Sequence, residues 1–147
     1  MTRITTSLFA TALAALVAGP SSAGDHAVLL PYKGSFDDAT FAVENAIIGR
    51  GLVVDYVSHA GEMLARTAAD VGSDVKLFEE ADIFLFCSAA LSRKVMEADP
   101  TNIAHCPYSV FVYEREGEVV IGHRTFPEGP MQEVQALLSE IATEAAE

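Results

Sequence analysis

Basic residues are scarce in this sequence, in which nine Lys and Arg stand against 21 Asp and Glu for a formal net charge of -12. Such a charge repels phosphate backbones and anionic lipid surfaces, so nucleic acid is not an expected partner. The sequence also lacks a Gly-x-Ser-x-Gly elbow, a phosphate-binding loop, a dinucleotide fingerprint and a His-Glu-x-x-His motif. It therefore gives no support to a hydrolase or a kinase.

Cysteine is equally sparse, because Cys87 and Cys106 are the only two and they do not form a Cys-x-x-Cys motif. That absence argues against a structural zinc site, a thioredoxin motif and a covalent c-type haem. Hydrophobic residues make up 50% of the 147 positions, enough to build one core without metal or covalent help. We expect one globular domain.

The first 23 residues are predicted to be an export signal. Arg3 supplies a positive start, Leu8 to Ala18 carries no charge, and Ser21 to Ala23 offers small residues for cleavage. The apolar segment is about half of the roughly 20 residues that a spanning helix needs, and no second run of spanning length follows. Cleavage after Ala23 leaves a domain of residues 24–147 with eight basic and 21 acidic residues, a charge of -13. We expect a periplasmic or secreted location and no membrane span after cleavage.

Local patterns predict alternating strands and helices in the mature chain. Ser35 and Asp38 form a capping box, apolar residues then recur at helical spacing, and Gly51 ends that helix. The predicted strands are His26–Tyr32, Leu52–Ser58, Asp82–Cys87, Tyr108–Glu114 and Glu118–His123, and the predicted helices are Phe36–Arg50, His59–Gly72, Ala89–Ala98 and Met131–Ala146. The last two strands form a hairpin through Gly117. This order predicts an α+β fold, with an antiparallel or mixed sheet and helices on one face.

The two cysteines stand at the two ends of a helical insert between predicted strands. If those strands are antiparallel neighbours, the helix returns the chain to the same edge of the sheet, where the sulfurs of Cys87 and Cys106 can meet. An exported protein with an even cysteine count normally meets an oxidising compartment. One hypothesis is therefore a structural disulfide, which would contribute about 3 kcal/mol by closing a loop of this length.

A second hypothesis makes the pair a redox site. Cys87 directly precedes the helix that begins at Ser88, and a helix N-terminus lowers the pKa of a thiol. Cys87 would then attack and Cys106 would resolve, as in a thiol-disulfide oxidoreductase.

A third hypothesis makes the cysteine edge a ligand site. His105 lies beside Cys106, and Cys with His is a set that binds copper, zinc or haem iron. Neighbouring residues of an extended chain face opposite ways, however, so one ion reaches both only if the loop bends.

Other chemistry-bearing residues are scattered along the chain. His26, His59 and His123 fit surface or strand-end positions, although His59 and His123 each adjoin a strand end and are candidates to reach the cysteine edge. Arg93 and Lys94 could bind an anion, but a solvated helix face explains them better. The acidic pairs fit helix caps, strand flanks and a hairpin tip, so they do not indicate acid-base catalysis.

Several short motifs occur in an order and spacing that point to a known family. They are Phe36 to Val53, the phenylalanine-rich strand ending at Cys87, Glu97-Ala98-Asp99-Pro100, Cys106-Pro107, and Val112-Tyr113-Glu114 before a glycine hairpin. With these motifs the mature chain resembles the domain of unknown function family numbered 302. The resemblance implies a TBP-like α+β fold with one sheet and helices on one side. It implies no assigned reaction.

Together these patterns favour an exported binding or accessory protein with its functional centre at the cysteine edge. That edge would hold a metal, a haem or a thiol-reactive ligand, or keep a switchable disulfide. Its partner would be a small molecule, a metal or a periplasmic protein. The oxidoreductase and the purely structural disulfide remain open alternatives.

Overall fold

A computed structural model describes residues 26–147, so the predicted export signal lies outside the described residues. The strands are β1 (Ala27–Tyr32), β2 (Val53–Ser58), β3 (Glu80–Cys87), β4 (Tyr108–Arg115) and β5 (Glu118–Arg124), and the α-helices are α1 (Phe36–Gly49), α2 (Ala60–Thr67), α3 (Ala89–Ala98) and α4 (Met131–Ala146). Short 3-10 helices occupy Ala69–Val71 and Pro100–His105. Among the described residues, no helix has the length and apolar character that a membrane span requires.

The strands form one five-stranded sheet in the order β1-β5-β4-β3-β2. Every neighbouring pair is antiparallel. The predicted α+β class with a single sheet is confirmed, and of the two predicted sheet types the antiparallel one is correct. In the β4-β5 hairpin, Glu116 and Gly117 have φ angles of 56° and 78°. Positive φ at both central positions is what a tight two-residue turn requires.

The core lies between one face of the sheet and helices α1 and α4. Side chains alternate between the faces of a strand, so every second residue points toward these helices. Those strand residues, and the apolar stripes of the two helices, are buried: Val43, Ile47, Phe84, Phe86, Tyr108, Val110, Val112, Ile121, Val134, Leu138 and Ile141. Burying each such side chain contributes about 1.5–3 kcal/mol, which makes this layer the main source of stability.

Helix α1 begins where the sequence predicts. The Ser35 hydroxyl oxygen accepts a hydrogen bond from the Asp38 backbone N–H at 3.1 Å, and the Asp38 carboxylate accepts from the Ser35 backbone N–H at 3.4 Å. This reciprocal capping box satisfies donors that the first helical turn leaves unpaired. The chain then turns at Gly51, whose φ is 73°.

The second predicted helix is shorter than expected. It ends at Thr67 and is followed by a separate 3-10 turn that closes at Gly72, whose φ is 72°. Its Gly61 packs directly on β3, where a Cβ atom would lie 2.5 Å from the Ala81 backbone nitrogen. A glycine that weakens the helix signal in the sequence is therefore needed for close packing.

Candidate functional site

Cys87 and Cys106 meet at one end of the sheet. Phe86 of β3 pairs with Tyr108 of β4, so the residues that follow β3 and precede β4 arrive at the same place. The two Sγ atoms lie 2.8 Å apart although the residues are 19 positions apart in sequence. The peptide bond between Cys106 and Pro107 is cis. The prediction that the two sulfurs lie close together is confirmed.

The insert between the cysteines is held in place by its own hydrogen bonds. The Ser88 hydroxyl accepts from the Leu91 backbone N–H at 3.4 Å and caps the start of α3. Val95 is buried and anchors α3 to the core, and the Asn102 side-chain amide donates to the Val95 carbonyl at 2.8 Å. The Cys106 N–H donates to the Ile103 carbonyl at 3.1 Å, which closes the 3-10 helix. Sequence patterns did not predict this 3-10 helix, which is what delivers Cys106 to Cys87.

The thiol of Cys87 is harder to ionise than its position suggests. Partial burial raises the pKa of Cys87 to about 11, and the neighbouring Cys106 thiol adds to the rise. The backbone N–H of Tyr108 hydrogen-bonds to Cys87 and acts in the opposite direction, but burial dominates. The lowered pKa expected from the start of α3 is therefore wrong. The raised pKa favours the thiol form of Cys87 over the thiolate.

Tyr108 and Ser92 belong to this site although the sequence analysis did not select them. The Ser92 hydroxyl donates to the Tyr108 hydroxyl oxygen at 3.0 Å. Burial raises the pKa of Tyr108, and both cysteines add to the rise by their proximity. The sequence does contain one signal for this part of the site, which is the position of Tyr108 directly after Cys106-Pro107. A buried Tyr usually needs a hydrogen-bond partner, and Ser92 provides it here.

His105 lies next to the pair in sequence but packs on an aromatic side chain. The His105 ring stands edge-on to the Phe126 ring, with the ring centroids 5.4 Å apart. The Tyr108 ring also stands edge-on to Phe126, at a centroid distance of 6.5 Å. These contacts explain the half-buried position of His105. They involve the ring and not a sulfur atom.

The structure does not bring His59 to the cysteines. Val53 pairs with Cys87 at one end of β2, whereas Ser58 pairs with Ile83 toward the other end. His59 follows Ser58, and its Nδ1 lies 2.8 Å from an oxygen of Asp82. Five residues of extended strand between Asp82 and Cys87 correspond to about 16 Å.

His123 and the basic residues of α3 have structural partners. His123 lies near the end of β5, as expected, but it is fully buried and not at the surface. Its Nδ1 lies 2.9 Å from the Arg124 carbonyl oxygen and its Nε2 lies 3.0 Å from the Ser139 hydroxyl. Arg93 pairs with Glu97 at 3.5 Å, and Lys94 pairs with Glu133 at 2.7 Å. Carboxylates thus already neutralise the two cations that were candidates for anion binding.

Metal ligation would require the cysteine pair to open. Two thiolates bound to one zinc ion at about 2.3 Å in a tetrahedron stand about 3.8 Å apart. The sulfurs are closer than that. Within residues 26–147, no group of three or more His, Cys, Asp or Glu side chains has an arrangement that could hold a metal ion. The geometry suits a sulfur-sulfur bond better than a shared ion.

The fold and the site define a small α+β domain with one antiparallel sheet and a close cysteine pair. The family model described as "Domain of unknown function DUF302" matches residues 27–147, and the chain belongs to that family. This confirms the membership that the motifs suggested. The crystal structure of the uncharacterized conserved protein DUF302 from Bacillus stearothermophilus is similar, with 17% sequence identity and a TM-score of 0.58.

That similarity covers 82% of this chain and 92% of the other. At such low identity it shows the fold alone. No curated protein matches the chain. The family and the fold are therefore established, while an activity has to be argued from the site.

Proposed function

We propose that this protein is an exported accessory domain in which Cys87 and Cys106 form a switchable disulfide. The observation that carries the proposal is the 2.8 Å separation of the two Sγ atoms. A small movement brings sulfurs at this distance to the bond length of about 2.05 Å. Both cysteines are only partly buried, so small thiols and disulfides have access to them. The leader pattern of the first 23 residues supports a periplasmic or secreted location.

The oxidant would be another disulfide, either a small one such as oxidised glutathione or a protein disulfide. One cysteine, as its thiolate, attacks the oxidant and releases one thiol from it, forming a mixed disulfide. The second cysteine, also as its thiolate, attacks the mixed disulfide and releases the other thiol. Overall, two S–H bonds of the protein become one S–S bond, and the oxidant takes up two electrons and two protons.

The raised pKa favours a switch over a catalyst. Burial and the neighbouring Cys106 raise the pKa of Cys87, so the thiol is favoured over the thiolate at neutral pH. A thiol of high pKa is also a poor leaving group, so the disulfide exchanges slowly once it has formed. An oxidoreductase that turns over rapidly needs the opposite property. This argument disfavours the alternative in which Cys87 attacks an external substrate.

The structural consequence of the switch falls on α3 and the following 3-10 helix. A disulfide between Cys87 and Cys106 closes the loop that carries both elements. Closing a loop of this length contributes about 3 kcal/mol, mostly by restricting the unfolded chain. Oxidation would hold this surface in its folded form, and reduction would allow it to open. A partner that binds α3 would therefore sense the redox state.

The proposal can be tested by equilibrating the protein, expressed with its own leader, in a series of glutathione redox buffers. The oxidised fraction is measured by intact mass after trapping of free thiols. We expect one intramolecular disulfide that is lost reversibly under reducing buffers. Absence of the disulfide at every ratio would refute the proposal.

Three further outcomes separate the alternatives. A disulfide that resists every buffer would indicate a purely structural bond. Rapid reduction of a second protein's disulfide, lost in Cys87→Ser, would indicate an oxidoreductase. Bound metal or a visible haem spectrum that disappears in Cys87→Ser would instead indicate ligation.

A further inference from the structure

Asp55 of the outer strand β2 lies beside the cysteine pair. Cys87 pairs with Val53 at the start of β2. The register then shifts between Val54 and Tyr56, so Asp55 is the extra residue of a β-bulge. Residues placed diagonally on paired strands lie about 7–8 Å apart, and a bulge re-aims the side chain that it carries. Asp55 is therefore a close cross-strand neighbour of Cys87.

The charge of Asp55 reaches the Cys87 thiol. Burial and the Cys106 thiol are the larger causes of the raised pKa of Cys87, and the negative charge of Asp55 adds to the rise because it disfavours a second negative charge nearby. The two sulfurs are 2.8 Å apart. Whichever cysteine reacts first, a disulfide that approaches it therefore enters the field of the same carboxylate.

Within residues 26–147, no ion pair includes the exposed side chain of Asp55. Arg93 and Lys94 of the adjoining helix α3 are each paired with a glutamate. Arg124 ends β5, which lies two strands from β3 and thus about 10 Å to the side, and it stands over the Phe126 ring. The charge next to the two sulfurs is therefore negative.

We propose that Asp55 makes the cysteine pair selective for disulfides that carry positive charge close to their sulfurs. This inference rests on the proposed switch and names the class of oxidant that operates it. The carboxylate attracts an ammonium group on the approaching oxidant and repels a carboxylate group there. The net charge of -12 adds a weaker, long-range preference of the same sign. The selectivity concerns the rate of thiol-disulfide exchange.

Cystamine, a small disulfide with an ammonium group on each arm, is a simple oxidant of this class. One cysteine thiolate of the pair attacks a cystamine sulfur, the S–S bond of cystamine breaks, and one cysteamine leaves as a thiolate that takes up a proton. The other cysteine thiolate attacks the mixed disulfide and releases the second cysteamine in the same way. Two S–H bonds of the protein become one S–S bond, and cystamine takes up two electrons and two protons.

The test compares the rates at which three disulfides oxidise the reduced protein, expressed with its own leader. Cystamine, hydroxyethyl disulfide and dithiodipropionate have arms of similar length that end in an ammonium, a hydroxyl and a carboxylate group. Free thiols are trapped at intervals, and intact mass gives the oxidised fraction. A pH of about 8 keeps histidine neutral, and an ionic strength of about 0.1 M sets a Debye length of about 10 Å. Each rate is divided by that of the same oxidant with mercaptoethanol, an uncharged thiol, which corrects for intrinsic reactivity.

A matched pair of variants assigns the selectivity to one residue. Asp55→Asn removes the charge beside the sulfurs, and Asp37→Asn removes the same charge from the cleft around His59 and Asp82, at the far end of β3 and about 16 Å from the cysteines. We expect the corrected ratio of the cystamine rate to the dithiodipropionate rate to fall at least about threefold in Asp55→Asn and to stay within about 1.5-fold in Asp37→Asn. In about 1 M salt the ratio of the wild type should approach that of Asp55→Asn.

The ratio separates selectivity from thiol ionisation. Removing the charge of Asp55 also eases the ionisation of Cys87, but that change speeds all three oxidants equally. An unchanged ratio in Asp55→Asn, in a protein that still forms the disulfide, overturns the selectivity and leaves the switch intact. Equal falls in both variants assign the effect to net charge and overturn the role of Asp55. Failure of every oxidant to form the disulfide refutes the switch and the selectivity together. Both positions are exposed, and circular dichroism verifies that the variants fold.

Discussion

The two faces of the sheet carry similar apolar side chains but differ in burial. On the face under α1 and α4, Phe86, Val110 and Ile121 are fully buried. On the opposite face, which we call the open face, Leu29 is 49% exposed and Tyr56 is 63% exposed. Alternating apolar residues thus specify a strand in a sheet, but only the face that the helices cover is buried and contributes strongly to stability.

The largest expected contrast comes from the same substitution on the two sides. Leu138→Ala removes a fully buried side chain of α4 and should lower the free energy of unfolding by about 3–5 kcal/mol, since it leaves a cavity. Leu29→Ala, on the open face, should cost less than about 1 kcal/mol in the monomer. Urea unfolding of the two variants and of the wild type measures both losses. Similar losses would mean that the open face is covered in the monomer.

The second-largest effect on stability is expected from the cysteine pair. Cys87 ends β3 directly after the buried Phe86. Oxidation should raise the free energy of unfolding by about 3 kcal/mol relative to the reduced protein. The Cys87→Ser, Cys106→Ser double variant should match the reduced protein and should not respond to oxidant. A double variant as stable as the oxidised protein would show that the disulfide stabilises nothing.

A buried histidine makes the covered face sensitive to pH. Burial lowers the pKa of His123 below its usual 6.5, while a hydrogen bond with the Arg124 carbonyl opposes that shift. The unfolded chain therefore binds a proton at a higher pH than the folded chain does. Stability attributable to His123 should be constant above about pH 6.5 and should fall as the pH drops from there to the folded-state pKa, by at most about 1.4 kcal/mol per pH unit.

Unfolding measured across this range in the wild type and in His123→Gln tests the assignment. The variant should lose this part of the pH dependence, even if it is less stable overall. An unchanged slope would assign the acid sensitivity to other groups.

The smallest effects concern the helix caps, one on α1 over the covered face and one on α3 beside the cysteines. Ser35→Ala should cost about 1 kcal/mol, because it breaks a reciprocal capping box. Ser88→Ala should cost less, since its hydroxyl accepts a single long bond of 3.4 Å from Leu91. Thermal denaturation of both variants in the reduced protein provides the measurement. A larger loss of stability for Ser88→Ala than for Ser35→Ala would show that the Ser88 cap contributes more to the stability of the insert than its single long hydrogen bond suggests.

Local sequence patterns were sufficient for most of the fold. Helices α3 and α4 have the predicted bounds, Ala89–Ala98 and Met131–Ala146, because periodicity and flanking residues act within a few positions. Gly117 indicated the hairpin for the same reason. The second helix was predicted too long, because weak periodicity around Gly61 and Gly72 did not mark the break after Thr67.

Tertiary structure alone decided the site. Whether β3 and β4 are neighbours, and hence whether Cys87 meets Cys106, depends on strand order, which no local pattern contains. The pKa of Cys87 rises because burial outweighs the helix start beside it, and burial is a property of the packed molecule. His123 likewise became a core residue only when α4 brought Ser139 to it. The sequence by itself determined the elements and their order, whose causes are short-range, and packing determined which reactive groups meet and how readily they ionise.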